Sequence, residues 1–530
     1  MTLGELIVRG ALQGGGAFFS AGVRTNLIGE LEEAANGRAV EHRLHSHEGA
    51  AVNAAHGFAR TAGAPGVAFI AGGGDAIAAF PAIRDAYLCY VPMLVVSVGH
   101  GDRDSVDLES VSGGFRHFYG RITRADEAPA VVRDALQTSQ RRRGPSLIEL
   151  AERLLAQPVD KDEEVARGDD VEVAAAPDPE RLSEAAFLLE LAARPAILAG
   201  AGAVSSGAGL ELQQIAERLA APVVTTWRGK GAIPESHPLA AGAIFGEPES
   251  RLVLRDADLL LAVGTSFDVG GRADRAVDLP PQIIQVDVDA SQIGRRHGVR
   301  VAVVGDAKHA LTGILRSLST GGIGMVGGRD VGSQVDDSRG GASLVRQVRQ
   351  RAWERARAEG AGHLDMLQAI REALPPNAAT IHEYDASAGW FAPFFEVAQD
   401  QDFLYPAGQR RGFAVPAAMG AAAAGDRPVV GFCDQHSFVY RCSELPFSSP
   451  NARPFTLVVS EHPSSDGVPG KVSVPPSPRS SSVAEIARSF GLGSAVASTP
   501  EELGAALRSA LDEATPQLIH LLHDWSTPRP

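Results

Sequence analysis

The apolar residues of this chain fall in short unbroken runs, and the stretches between them carry apolar positions at helical spacing. VAFI at 67–70 and MLVV at 93–96 have no polar member, the pattern of parallel strands buried on both faces. Helical patterns at 49–62, 77–87 and 127–139 surround them and lead into SLIEL at 146–150, after an apolar-periodic stretch around 6–12. Such alternation predicts a doubly wound sheet. The pattern then restarts twice. AILA at 196–199, VVTT at 223–226, LLLAV at 259–263 and IIQVDVD at 283–289 form a second series, with a helix at 208–219. AATIH at 378–382, VVGF at 429–432, FTLVV at 455–459 and LIHLL at 518–522 form a third.

Composition separates the three series. Residues 161–180 are charged and contain proline, and 320–343 are rich in glycine and serine, so both read as connectors. The expected organisation is α/β, with three doubly wound domains and mostly parallel sheets, at 1–160, 181–320 and 344–530. A length of 530 residues supports that division, because a single hydrophobic core does not grow so large. The segment SEHPSSDGVPGKVSVPPSPRSSS at 460–482 has too much proline and serine for an ordinary helix and predicts an exposed loop or lid.

Charge and cysteine content narrow the partners. The 64 acidic and 49 basic side chains leave a net charge of -15, which gives no overall attraction to nucleic acid or an anionic membrane. RRR at 141–143 reads as a solvated helix end before Gly144 and Pro145. The three cysteines, Cys89, Cys433 and Cys442, cannot build a disulfide framework or a four-sulfur metal site. No apolar stretch reaches about 18 residues, and the first residues lack a basic-then-apolar signal pattern. A cytoplasmic protein without a membrane span is expected. The turn AGAGAVSSGAG at 199–209 is similar to a nucleotide-binding turn. VVTTW after the next strand offers no carboxylate for a ribose, so a structural turn is preferred over a dinucleotide site.

Two places carry candidate chemistry. Glu48 stands between the polar run HRLHSH and the small-residue helix GAAVNAAHGFARTAG, whose surface lets another helix or a flat ring come close. On the residues alone, an acidic first-turn residue favoured by the helix dipole is the simpler account. Asp434 and Glu461 end two predicted strands. Neighbouring parallel strands bring such ends together, where two carboxylates could meet Mg²⁺ or Ca²⁺. Ordinary polar strand ends explain the pair equally simply.

Longer stretches change that balance. HEGAAVNAAHGFARTAGAPGV with AIRDAYLCYVPMLVVSVG, TWRGKGAIPESHPLAAGAIFG with IIQVDVDASQIGRRHGVRVAVVGDAKHAL, and RGFAVPAAMGAAAAGDRPVVGF follow one another in a familiar order. Over essentially the full length they resemble the three domains of thiamine diphosphate enzymes of the acetolactate synthase and benzoylformate decarboxylase group. The resemblance implies that Glu48 hydrogen-bonds N1′ of the cofactor pyrimidine, favouring the tautomer whose N4′ takes the thiazolium C2 proton. It implies that Arg411, Gly412, Asp434, Gln435, His436, Glu461 and His462 line the cofactor site. Mg²⁺ would be held by Asp434, Glu461 and the backbone oxygen of Pro463. His45 and His47 are candidates for moving a proton on the substrate, with His47 preferred for its place beside Glu48.

Several positions depart from the group. Cys433-Asp434-Gln435 stands where relatives have Gly-Asp-Gly, Glu461-His462 where they commonly have Asn-Asn, and Arg411 where an apolar residue supports the bent cofactor. FFSAG at 18–22 replaces Phe-Gly-x-Pro-Gly, Gly73-Gly74-Asp75 replaces Gly-Pro-Gly, and Ala78 replaces an asparagine. The implied activity is that of a lyase or carboligase on a small 2-keto acid, a decarboxylase or an acetolactate synthase-like transferase. The implied assembly is a homodimer or homotetramer with sites between subunits, and FAD is not expected. The departures motivate two alternatives: a non-catalytic binding homologue, or an enzyme whose cleft serves another acidic or phosphorylated ligand.

Overall fold

A computed structural model describes residues 2–11, 16–23, 40–99, 106–159, 176–245, 247–267, 278–321, 340–397, 403–408, 411–425, 427–447, 453–461 and 481–525. Among them lie three six-stranded sheets in which neighbouring strands pair in parallel. The first holds β1 (Gly16–Ala21), β2 (Val40–His45), β3 (Gly66–Ala71), β4 (Met93–Gly99), β5 (Phe118–Ile122) and β6 (Pro145–Ala151), in the order β2-β1-β3-β4-β6-β5. The second holds β7 (Pro195–Ala199), β8 (Val223–Thr225), β9 (Ala240–Gly242), β10 (Leu259–Val263), β11 (Ile283–Asp287) and β12 (Val301–Val304), ordered β12-β11-β10-β7-β8-β9. The third holds β13 (Ala379–His382), β14 (Phe403–Leu404), β15 (Val429–Asp434), β16 (Thr456–Glu461), β17 (Gly493–Ala497) and β18 (Gln517–Asp524), ordered β14-β13-β15-β16-β18-β17. The first and third sheets therefore share one strand order.

Every residue of β3, β7, β10, β11 and β15 is buried, as expected where helices cover both faces of a parallel sheet. The cores accordingly come in pairs, one on each face. Phe18, Phe69 and Val96 belong to one side of the first sheet, and Phe19, Ile70 and Val95 to the other.

Two helices hold the first and third sheets together. Helix α1 (Glu48–Ala62) is buried along most of its length, and α3 (Ala414–Ala423) is buried throughout all but its end. They cross so closely that a methyl group on Gly420 would come within 1.8 Å of the Ala54 carbonyl oxygen, and one on Gly57 within 2.1 Å of that of Ala417. The small-residue surface read from the sequence is thus a helix contact. Helix α2 (Gly341–Ala373) breaks helical geometry at Gly360 and carries Arg355, which pairs with Glu247, Glu249 and Glu359. That network ties the second sheet's loops to the helix leading into the third.

Several local expectations need adjustment. The helix predicted over 77–87 is a 3₁₀ turn, Asp75–Ala79, followed by Phe80–Leu88, with Pro81 near the joint. The arginine run does end a helix, Ala128–Arg142, but Arg143 takes a left-handed cap and pairs with Asp306 of the second unit at 3.2 Å. The glycines after β7 serve backbone contact: side chains at Gly200 or Gly202 would meet Gly264 at 2.4 and 2.6 Å. Residues 462–480 of the Pro- and Ser-rich segment lie outside the described residues, and the helix Ser481–Ser489 takes in its last two serines. No described helix is long and apolar enough to cross a membrane.

Candidate active site between the first and third sheets

Strand order reverses between β1 and β3 in the first sheet and between β13 and β15 in the third. Ligands of open parallel sheets bind beyond the carboxyl ends of the strands at such places. At the first, β1 runs into Gly22, with φ +65°. A methyl group there would lie 2.4 Å from Oε1 of Glu48 and 2.8 Å from Ala71 at the end of β3, so the Glu48 carboxyl occupies the space that glycine leaves. Glu48 begins α1, and His47 caps that helix by accepting the Gly49 N–H on Nδ1 at 3.0 Å. The proton of the neutral His47 ring then resides on Nε2.

Half-burial raises the pKa of Glu48 above the ordinary carboxyl value. Its own backbone N–H opposes this, Asp75 and Glu444 reinforce it, and Arg441 opposes it. His47 moves the other way: burial and then Arg441 lower its pKa, against Glu444.

The third sheet supplies carboxylates. Glu383, the first residue past β13, is fully buried, and its Oε2 accepts the N–H groups of Gly412, Phe413 and Ala414 at 3.1, 3.0 and 3.1 Å. Burial nonetheless pushes its pKa up to about 8. Asp385 accepts the Ser387 N–H and hydroxyl on Oδ1 at 2.9 and 2.5 Å, while its buried Oδ2 makes no hydrogen bond. Its pKa is raised by burial and then by Asp434. Asp434 ends β15 and caps the short helix α4 (Gln435–Arg441), accepting the Ser437 N–H at 2.7 Å. It lies opposite Ser460 in the register with β16, one residue before Glu461.

Buried acids crowded at strand ends, one with an orphaned oxygen, suit a hard divalent cation, which takes oxygen ligands and favours their ionised forms. Among the described residues these carboxylates do not come together as three ligand atoms close enough to share one ion, so what they offer Mg²⁺ is donor chemistry: the strand-end Asp434 and the unbonded Oδ2 of Asp385. Gln435 adopts an ordinary backbone conformation, since it is absent from the positive-φ residues. The glycine found there in relatives is not needed for the turn. His436 is half-buried beside it, Arg411 is exposed, and His462 and Pro463 lie outside the described residues.

Elements of the first and third sheets touch within one chain. Glu444 accepts hydrogen bonds from His45 Nδ1 at 3.1 Å, the Ser46 N–H at 3.0 Å and the Ser46 hydroxyl at 2.5 Å. Burial acts to raise the Glu444 pKa, but these donors hold it below the ordinary value. Asn53 of α1 donates to the Gly412 carbonyl at 3.1 Å. Gly412 has φ +86°, and the place of its missing side chain is taken by Arg441 Nε, 2.7 Å from a built methyl.

Glu383, Asp385, Arg441 and Glu444 escaped the sequence reading. Glu383 and Asp385 follow ATIH as Asp434 follows VVGFC, so the strand-end rule that found Asp434 extends to them. Arg441 and Glu444 carry no such signal, for a charged pair three residues apart usually marks a solvated helix face.

The chain is similar to known proteins over most of its length. The pattern of the thiamine pyrophosphate enzyme N-terminal TPP binding domain matches residues 1–120, that of the central domain 182–314, and that of the C-terminal TPP binding domain 386–521. A probable 2-ketoarginine decarboxylase of Pseudomonas aeruginosa is 30% identical over 438 residues, covering 79% of this chain and 75% of its own length. Acetolactate synthase isozyme 1 large subunit of Escherichia coli is 25% identical over 522 residues, 92% and 87% of the two chains. Sulfoacetaldehyde acetyltransferase of Rhodobacter capsulatus is 29% identical over 512 residues, 88% and 84%.

Proposed function

The chain belongs to the thiamine pyrophosphate enzyme family, and from that premise we propose that it is a thiamine diphosphate- and Mg²⁺-dependent lyase or carboligase acting on a small 2-keto acid. The observation that carries this reading is Glu48, a half-buried carboxyl of raised pKa seated over Gly22 beyond the end of β1. When bound, the cofactor supplies a carbon nucleophile for the keto group and an electron sink for loss of carbon dioxide. Relatives named as a decarboxylase, a synthase and an acetyltransferase support both release of an aldehyde and transfer to a second carbonyl.

The chain's own residues have distinct tasks in this proposal. Glu48 shares a proton with a ring nitrogen, a role in line with the upward shift of its pKa. Asp434 and Glu461, with the orphaned oxygen of Asp385, hold the cation. His47 presents Nε2–H for exchange with a substrate oxygen. Calorimetric titration tests the reading. The wild-type protein is expected to bind thiamine diphosphate only with Mg²⁺, and Asp434→Asn to weaken that binding at least about tenfold. Neither heat nor thermal stabilisation in the wild type would sink the proposal.

A further inference from the structure

Arg441 ends α4 and is 5% exposed, with Nε making no hydrogen bond. Its guanidinium carbon lies 4.7 Å above the ring of its neighbour Tyr440. Among the described residues it forms no ion pair. Of the acids that influence it, Glu444 is engaged with His45 and Ser46 and Glu383 with three N–H groups at the start of α3, while Glu48, the third, makes no ion pair with it. A buried guanidinium is strongly unfavourable unless an anion pairs with it, and its planar fork suits carboxylate, sulfonate or phosphate oxygens.

The geometry also limits which anion can be meant. Asp434 starts α4 and Arg441 finishes it, which separates them by about 10 Å along the helix. Arg441 influences Glu48 and His47, the residues assigned above to the pyrimidine and the substrate, and its Nε packs against Gly412. A diphosphate held at Asp434 lies at the far end of α4, which leaves an anion on the substrate for Arg441 to meet. Pairing with the carboxylate that leaves as carbon dioxide would stabilise the ground state in preference to the transition state. Tyr440 and Val439, 56% and 42% exposed, flank Arg441 where a substrate side group would come in from solvent.

We propose that Arg441 binds a second anionic group on the substrate, so that the enzyme prefers 2-keto acids bearing a distal carboxylate, sulfonate or phosphonate over monoanionic ones of equal length. This rests on the thiamine diphosphate reading above. The test measures binding and kcat/KM for 2-oxodicarboxylates of four to six carbons against matching 2-oxomonocarboxylates, with thiamine diphosphate and Mg²⁺ present. At least one length should favour the dianion about tenfold or more. Arg441→Met should reduce that ratio to about one, and Arg441→Lys, which keeps the charge without the fork, should leave an intermediate ratio. No dianion preference, no binding of either series, or a preference undiminished in both variants would overturn the inference. Exchange of the cofactor C2 proton in the same samples separates the two levels. Exchange without preference removes only the role of Arg441, whereas preference without exchange removes the thiamine reading and leaves the anion site.

Discussion

Glu383 shows burial outweighing hydrogen bonding at a single carboxyl group. The unfolded chain would release its proton above the ordinary value of 4.5, whereas the folded protein keeps it to about 8. The unfolded state then binds fewer protons across that window, so the contribution of Glu383 to stability is fully present at low pH and is lost as pH rises towards 8. Thermal melting of the cofactor-free protein should therefore show a fall of several degrees from this group, and Glu383→Gln should flatten the slope. An unchanged slope in the variant would assign the effect to other groups. At this scale the sequence is informative where a residue belongs to a longer pattern. On its neighbours alone Glu48 reads as an ordinary first-turn acid, and only the full-length resemblance singled it out, whereas Arg441 lies on a segment indistinguishable from a solvated helix until its burial is known.

Among the elements, the crossing of α1 and α3 holds the first and third sheets together. Glycine at 57 and 420 is required there by space alone, because each faces a carbonyl of the opposite helix. Gly420→Ala should destabilise the protein by at least about 1–3 kcal/mol and weaken cofactor binding by displacing Gly412 at the head of α3. Gly362→Ala, in the exposed part of α2 with nothing near the added carbon, should instead stabilise by about 0.5–1 kcal/mol. Equal melting temperatures for Gly420→Ala and the wild type would refute the close crossing. The central strands were readable as unbroken apolar runs because both faces are buried. The edge strands β2 (VEHRLH), β5 and β17 were not. With one neighbour each they remain partly exposed, as the open faces of β5 and β17 show, and their polar residues mask the strand pattern.

For the whole molecule, the first and third sheets share one strand order and reverse it at corresponding strands, while the second sheet has a different order. Three series of apolar runs made this architecture readable from the chain, and the family patterns match all three regions. The acidic end of the cleft was only partly legible. Asp434 and Glu461 were found as strand ends, but Glu383 and Asp385 join them only through a strand pairing, β13 with β15, that spans distant sequence. The central claim is that Glu48 activates a bound thiamine diphosphate. Proton–deuterium exchange at C2 of the cofactor, followed by NMR after rapid acid quench, tests it directly. The wild-type protein with Mg²⁺ should accelerate exchange far above the free cofactor, and Glu48→Gln should lose about 10²-fold or more of that rate while still binding. Exchange no faster than in free solution, or an undiminished rate in Glu48→Gln, would contradict the account.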